Sequence, residues 1–231
     1  MIECGVGLGR EPGPARRSDP RGNIEDRQLT QLHKRILRRS GGSARQPPVA
    51  VRIRRRDRRR RDEILAAYEG ATALLEDPRM LLLAELWRDL PLVKIAVLRN
   101  PAAVADAMLE RWIANGAPPD RPLDRSHCEA LWVLYNRALL SELRRRPFPV
   151  VDVDRPADLR AQVAAALRFH GWRASACASE HTAEPVPGDG GWRDRVANVD
   201  AVALWEELQE HATLPARPPV PAQAQAPSAS A

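Results

Sequence analysis

The chain has 231 residues, 44% of them hydrophobic, which is enough apolar material for a core and excludes disorder over the whole length. Its apolar runs are short and its N-terminus lacks the pattern of a signal peptide, so we expect no membrane span. Three widely spaced cysteines fit a reducing compartment, and the expected location is cytoplasmic. The net charge of +6 and the isoelectric point near 10.0 hide an uneven distribution along the chain.

Residues 1–61 form a basic arm with 18 Lys and Arg against 6 Asp and Glu, whereas residues 62–231 hold 18 against 24. The arm has no Phe, Tyr or Trp, and eight of the ten residues 52–61 are arginines that repel one another. We expect a largely disordered arm in which only residues 28–39 form a short basic helix. The composition is also what out-of-frame translation of a GC-rich coding sequence would produce. A third interpretation is nonspecific binding of nucleic acid through its phosphates.

The rest of the chain alternates helices with strands. Two short apolar runs, 92–98 and 148–153, predict buried strands of a parallel sheet. Apolar residues at helical spacing, separated by caps and breakers, predict helices over 62–69, 77–90, 101–115, 126–146, 157–169 and 200–211. Residues 71–75 fit either a helical turn or a strand. This order predicts an α/β domain over 62–175, followed by a weakly ordered region, 176–231, with one helix and a flexible Pro/Ala-rich tail.

The turn Arg99-Asn100-Pro101 joins the best predicted strand to a helix. Asn100 is a good N-cap, and Pro101 suits the first helical position. Ligands of open α/β sheets bind at the carboxyl ends of strands, and a helix N-terminus attracts anions. An arginine at that point can hold a phosphate with two donors. The turn therefore predicts a phosphate or sulfate site at Arg99, and the alternative is that Arg99 pairs with a carboxylate that closes the sheet.

Five short motifs follow one another over about residues 62–175. These motifs are Asp77-Pro78-Arg79, Val97-Leu98-Arg99-Asn100-Pro101, Leu131-Trp132-Val133-Leu134-Tyr135, Pro149-Val150-Val151 and His170-Gly171-Trp172. In the order and spacing of these motifs the chain resembles the bacterial sulfotransferases. The resemblance implies a three-layer α/β fold with a parallel sheet, P-loop-like and incomplete at its N-terminus.

The resemblance also implies a reaction, the transfer of a sulfuryl group from 3'-phosphoadenosine-5'-phosphosulfate (PAPS) to a hydroxyl or amine. The acceptor would be a small molecule, a glycan or a peptide. In this interpretation Arg99 grips the 3'-phosphate of PAPS, Asn100 presents the helix N-terminus to it, and Arg111 assists. Gly9 and Arg10 match the start of the family's phosphosulfate loop.

Several positions depart from the family pattern. The loop that starts at Arg10 continues with Pro12 and Pro14, which supply no N–H for an anion. Ala107 stands where the family has serine, and Glu76 stands where it usually has lysine. No residue matches the family's general base, so the catalytic residues stay unassigned. We therefore expect weak or no transfer, and the alternative function is a noncatalytic remnant or binding protein on the same scaffold.

Other reactive groups carry weaker signals. Cys128 is expected to be a buried helix residue rather than a nucleophile, and no metal site is expected because Cys and His do not supply a set of ligands. Asp152 and Asp154 share one face of their strand, as acid/base groups or metal ligands would, but acids at a strand end more often cap it. No membrane partner is expected.

Overall fold

The computed structural model describes residues 12–13, 23–68, 74–116, 123–172 and 191–212. The strand β1 (Pro12–Gly13) pairs antiparallel with β2 (Asn23–Asp26), and β3 (Ala96–Leu98) runs parallel to β4 (Val150–Asp152). Most described residues are helical, in α1 (Arg27–Arg39), α2 (Arg55–Leu65), α3 (Arg79–Leu82), α4 (Ala84–Trp87), α5 (Pro101–Ala114), α6 (Arg125–Arg145), α7 (Leu159–Phe169) and α8 (Val199–His211). In these ranges no helix combines the length and the apolar character needed to cross a membrane.

Helix α1 forms because its start is capped and its apolar residues fall on one side. The side chain of Asp26 accepts a hydrogen bond from the backbone N–H of Leu29 (2.9 Å). The buried apolar residues repeat at helical spacing: Leu29, Leu32, Ile36 and Leu37. The helix ends before Gly41, whose φ of 88° is readily adopted only by glycine. The helix predicted over 28–39 is confirmed.

Helix α2 and its contacts correct the prediction of a largely disordered arm, which is wrong for residues 25–61. The arginine-rich run is helical because charged residues that face inward meet partners of opposite charge. Asp57 is 3% exposed and accepts hydrogen bonds from both terminal nitrogens of Arg39 (3.0 and 2.6 Å). Arg61 is 2% exposed and pairs with Asp62 (2.7 Å) and Asp89 (2.5 Å). The attraction of the arginines to these acids outweighs the repulsion among the arginines. The pairing of Arg61 with Asp89 could not be predicted from neighbouring residues.

Two hydrophobic clusters form the core of the described ranges. The N-terminal cluster joins α1 and α2 to α3 and α4, and its buried members are Leu29, Leu32, Ile36, Leu37, Ile64, Leu83, Leu86 and Trp87. The sheet cluster joins β3 and β4 to α5, α6 and α8, and it includes Leu98, Trp132, Leu139, Val150 and Trp205. Four of the eight buried members of the N-terminal cluster come from residues 1–61, so this part of the arm belongs to the fold.

The parallel pairing of β3 with β4 confirms the α/β character in a coarse form, one small parallel sheet among many helices. Ala96 lies opposite Val150 in the register, and Leu98 lies opposite Asp152. Leu98 and Val150 face the sheet cluster. On the other face Val151 is 3% exposed where α7 packs against β4, whereas Val97 is 67% exposed. The sheet is thus covered on one face and half covered on the other.

Element boundaries differ from prediction in several places. The helix predicted from residue 62 begins at Arg55. The helix predicted over 77–90 is split into α3 and α4 at Leu83, because the backbone of Leu83, with φ −110° and ψ 25°, is not helical. Helices α7 and α8 confirm the predictions at 157–169 and 200–211. Most of the ambiguous segment 71–75 lies outside the described residues, as does the predicted tail from residue 214.

Candidate functional site

Arg99 follows β3 at the carboxyl end of the parallel pair and directly precedes the α5 cap. Its carbonyl accepts a hydrogen bond from Trp132 Nε1 on α6 (3.0 Å), which holds the turn against the sheet cluster. Arg99 is half-buried, yet within the described ranges its guanidinium has no hydrogen bond and no ion pair. The other buried or half-buried arginines of these ranges all have carboxylate partners: Arg39, Arg58, Arg61, Arg79 and Arg125. The guanidinium of this half-buried residue is therefore free to bind an anion.

The N-terminus of α5 is already capped by the protein itself. Asn100 Oδ1 accepts a hydrogen bond from the N–H of Ala103 (2.8 Å), and the Asn100 carbonyl accepts one from Val104 (3.1 Å). Pro101 has no N–H. The N–H of Asn100 donates to Asp154 Oδ2 (2.5 Å). The N-terminus of α5 consequently offers fewer free N–H donors to an anion than the sequence predicts. The principal hydrogen-bond donor at this point is the side chain of Arg99.

Asp154 lies in front of the α5 N-terminus, at the position that the sequence assigns to a phosphate. Burial raises the pKa of Asp154, and the hydrogen bonds from Asn100 lower it again. The charge of Asp152 raises the same pKa, and the charge of Arg99 lowers it. A carboxylate therefore closes the end of the sheet, although Arg99 acts on it through charge rather than through a direct ion pair.

Asp152 anchors helices to the sheet and has no free oxygen for chemistry. It is 2% exposed; its Oδ1 accepts the N–H of Asp154 (2.9 Å), and its Oδ2 accepts Gln209 Nε2 from α8 (3.0 Å). The side chain of Gln162 on α7 binds the backbone of Asp152 twice. Gln162 Oε1 accepts the Asp152 N–H (2.8 Å), and Gln162 Nε2 donates to the Asp152 carbonyl (3.1 Å). Among the described residues no three His, Cys, Asp or Glu side chains come together as metal ligands. Asp152 is structural.

The structure keeps Arg111 apart from Arg99. Arg111 is exposed in the last turn of α5, twelve residues after Arg99, which corresponds to about 18 Å along a helix. Its charge acts instead on Glu76. The pKa of Glu76 is raised to about 7, first by partial burial of its carboxyl group and then by the charges of Glu25 and Asp77, although the residue keeps an exposed surface. Arg111 and Glu76 therefore belong to a different part of the molecule from the α5 N-terminus.

A buried network around Asp77 was not apparent from the sequence. His33 of α1 is fully buried, and its Nδ1 lies 2.6 Å from Asp77 Oδ2. Arg79 Nε lies 2.7 Å from Asp77 Oδ1, and the same guanidinium pairs with Glu25. Burial opposes ionisation of Asp77, but the hydrogen bond and charge of His33 and the charge of Arg79 outweigh it and lower the pKa of Asp77. His33 and Asp77 are 44 residues apart, so no local signal could have paired them.

The role of this network is to attach α1 to the start of α3. The imidazole of His33 meets the indole of Trp87 edge-on, with the ring centroids 5.4 Å apart. His33 Nε2 is buried without a hydrogen-bond partner in the described ranges. The Asp77-Pro78-Arg79 motif thus stabilises the fold, because the charged groups of Asp77 and Arg79 both pair with other residues of the protein.

The remaining predicted site residues are placed as follows. Gly9 and Arg10 lie outside the described residues. Cys128 is fully buried in α6, and burial raises the pKa of its thiol, which confirms the interpretation as a buried helix residue. Of the three residues predicted to hold PAPS that the structure describes, Arg99 and Asn100 lie together and Arg111 lies apart from them.

Comparison with known proteins finds no relative. No family model matches the sequence, and neither a curated protein nor a solved structure is significantly similar to it. Function is therefore inferred from the motifs and from the geometry at the carboxyl end of β3.

Proposed function

We propose that this protein binds PAPS in the manner of a sulfotransferase, with Arg99 holding the 3'-phosphate. The observation that carries the proposal is the position of Arg99, a half-buried residue at the carboxyl end of a parallel strand and beside a helix N-terminus. Its guanidinium has no partner in the described ranges. Arginine binds phosphate with two parallel hydrogen bonds, so one such residue can orient the nucleotide.

The proposed fold is the three-layer, P-loop-like architecture of sulfotransferases. It is supported by the parallel pairing of β3 with β4, by the sheet cluster that α6 and α8 form on one face, and by α7 on the other. In this architecture the nucleotide lies across the carboxyl ends of the strands, where Arg99 and Asn100 are found.

The proposal concerns binding more than turnover. Asp154 places a negative charge at the α5 N-terminus, Ala107 supplies no hydroxyl, and no general base is identified. The second candidate, a noncatalytic binding protein on the same scaffold, is favoured by the hydrogen bond between Asp154 and Asn100, because that contact must be displaced before a phosphate can reach the helix end. Sulfation of any acceptor by the purified protein, followed with radiolabelled PAPS, would eliminate this candidate.

Binding is tested by isothermal titration calorimetry with adenosine 3',5'-bisphosphate. We expect the wild type to bind and Arg99→Ala to lose about tenfold to a hundredfold in affinity, because a charge-assisted hydrogen bond contributes about 1.5–3 kcal/mol. The matched control is Arg146→Ala, which removes an exposed arginine after α6 and should leave the affinity unchanged. If the wild type does not bind, or if the two variants lose affinity equally, the assignment of Arg99 is wrong.

A further inference from the structure

The strongest concentration of charge in the described ranges lies on α1, α2 and the loop between them. From residue 27 to residue 56 the chain has ten Lys and Arg and neither Asp nor Glu. Both helices bury their inner faces in the N-terminal cluster. Most of their basic side chains are exposed, although Arg61 is buried, so the fold converts a basic stretch of sequence into a basic surface.

Three hydrogen bonds of Arg39 hold the end of α1 against the start of α2 and so bring these charges together. Arg39, at the end of α1, donates to Asp57 in the first turn of α2 and to the carbonyl of Arg52 (2.9 Å). Arg35 lies one turn before Arg39 on the same side of α1, since residues four apart are neighbours on a helix. Arg55 and Arg56 precede Asp57 directly. The end of α1 and the start of α2 thus present their cations around one ion pair.

The exposed cations of this region that have neither an ion pair nor a side-chain hydrogen bond in the described ranges include six on α1, just before α2 and in its first turn. We call these six the basic surface: Lys34, Arg35, Arg38, Arg52, Arg55 and Arg56. Asp57 does not neutralise them, because it is buried and its carboxylate is occupied by Arg39. The arginines in the second half of α2, by contrast, are paired with nearby carboxylates, as in the contact of Arg60 with Glu63 (3.0 Å).

We propose that the basic surface binds the phosphate backbone of a double-stranded nucleic acid without reading its sequence. Unpaired arginines and lysines gathered on a folded surface complement the regular row of phosphates on a duplex. Residues 1–61 contain no Phe, Tyr or Trp to stack on unpaired bases, so single strands are not favoured. This binding is separate from the proposed PAPS site and does not depend on it.

An anionic membrane is the other polyanion to consider, and the surface does not suit it. A helix that lies on a bilayer inserts an apolar face, but the apolar faces of α1 and α2 are buried in the N-terminal cluster. Among the described residues the exposed large hydrophobic side chains are those of Val49, Val93, Val97, Ile113, Leu134 and Val199, and of these only Val49 belongs to this region. One valine does not anchor a protein, so charge is the only attraction that the surface offers.

The test is fluorescence anisotropy of the full chain with a labelled duplex of mixed sequence, titrated at several salt concentrations. With six available cations, we expect the logarithm of the affinity to fall with the logarithm of salt with a slope of about −3 to −5. The triple variant Arg35→Gln, Arg55→Gln, Arg56→Gln should reduce that slope by about 2 to 3 and weaken binding at least tenfold at low salt. These side chains are exposed, and an unchanged thermal midpoint would confirm that the variant is folded.

The matched control removes three exposed arginines elsewhere, with Arg145→Gln, Arg146→Gln and Arg168→Gln. It changes the net charge equally but leaves the basic surface intact, so it should retain most of the affinity. Equal losses in the two triple variants, or binding that does not depend on salt, would overturn the proposal. Binding to vesicles of phosphatidylserine and phosphatidylcholine in the absence of duplex binding would overturn it as well, in favour of a membrane.

Discussion

Arg61 and Arg99 have the same side chain and opposite surroundings. Arg61 is 2% exposed and is bonded to Asp62, to Asp89 and to the carbonyl of Leu86. Arg99 is half-buried and has no partner for its guanidinium in the described ranges. The contacts of Arg61 stabilise the fold and leave its guanidinium unable to bind a ligand, whereas the guanidinium of Arg99 is still available to one. For this reason Arg99, and not the arginine-rich run, carries the proposed nucleotide site.

Asp154 is the residue that most directly opposes an anion at this site. Replacing it by asparagine in Asp154→Asn removes a negative charge and keeps an oxygen that can accept the N–H of Asn100. We expect adenosine 3',5'-bisphosphate to bind about threefold to tenfold more tightly, since a nearby charge in partly screened surroundings contributes about 1 kcal/mol. Asp158→Asn, which alters an exposed pair with Arg155, is the control for the loss of one charge. Weaker binding by Asp154→Asn would show that the carboxylate assists the ligand.

The same variant has a consequence for stability that depends on pH. Burial raises the pKa of Asp154 in the folded protein, so the folded state resists its ionisation. Stability is therefore lost as the pH rises through this raised pKa. Asp154→Asn cannot ionise, and its free energy of unfolding relative to wild type should improve as the pH rises above about 4. Urea denaturation at a series of pH values measures the difference.

At the scale of the element, α1 and α2 show how charged sequence becomes ordered. The apolar residues of α1 recur at helical spacing and reach a core that also contains Ile64 of α2 and Trp87 of α4. The pair formed by Arg39 and Asp57 then fixes one helix against the other. A helix of this length is marginal alone, so its stability comes from the face that it buries. The out-of-frame interpretation does not account for so regular a buried face.

We expect Ile36→Ala to lower the free energy of unfolding by about 2–4 kcal/mol, because Ile36 is 0% exposed and its truncation leaves a cavity in the N-terminal cluster. Ile113→Ala is the matched control, since Ile113 is 71% exposed on α5 and its loss should change stability by less than about 0.5 kcal/mol. Chemical denaturation followed by circular dichroism gives both values. Two equally small effects would mean that α1 does not pack as the structure has it.

At the scale of the molecule, the N-terminal cluster and the sheet cluster are joined by a charge contact. Glu142 of α6 is 7% exposed and accepts two hydrogen bonds from Arg88, which follows α4 (3.1 and 2.6 Å). Lys94 Nζ lies 3.8 Å from its other oxygen. Glu142 lies between Leu139 and Leu143 of the sheet cluster, and Arg88 follows Leu86 and Trp87 of the N-terminal cluster. The contact therefore couples the two halves of the core.

We expect Glu142→Gln to destabilise the protein by about 1–3 kcal/mol, because it removes the charge of a buried carboxylate that binds Arg88 and leaves Arg88 without a counterion. Glu207→Gln is the control: Glu207 also pairs with an arginine, Arg144, but both side chains are substantially exposed, and the change should be less than about 1 kcal/mol. Urea denaturation measures both variants. Similar values for the two would show that Glu142 does not couple the clusters.

The elements that could be predicted are those whose signals are local. The cap at Asn100 with Pro101 after it, the short apolar strand before Arg99, and the helices over 157–169 and 200–211 follow from neighbouring residues. The folded structure of the arm could not be predicted, because its composition indicates only repulsion among its arginines. The counterion Asp89, which pairs with Arg61, lies outside the arm. The position of Asp154 in front of Asn100 depends likewise on residues 54 apart.

The sequence by itself determined most of the helices, the two short apolar strands, the exclusion of wholesale disorder and the placement of Arg99 at the end of a strand. These properties depend on periodicity and on residues within one or two turns of each other. Only the tertiary structure decided which charges are available. Inside the protein, Arg61, Arg79 and Asp57 each have a partner of opposite charge from another part of the chain. Asp154 lies where an anion was expected. Arg99 and the basic surface have no partners in the described ranges. The physical reason is that a charge is neutralised by whatever lies within a few ångströms, and distant parts of the chain supply those neighbours.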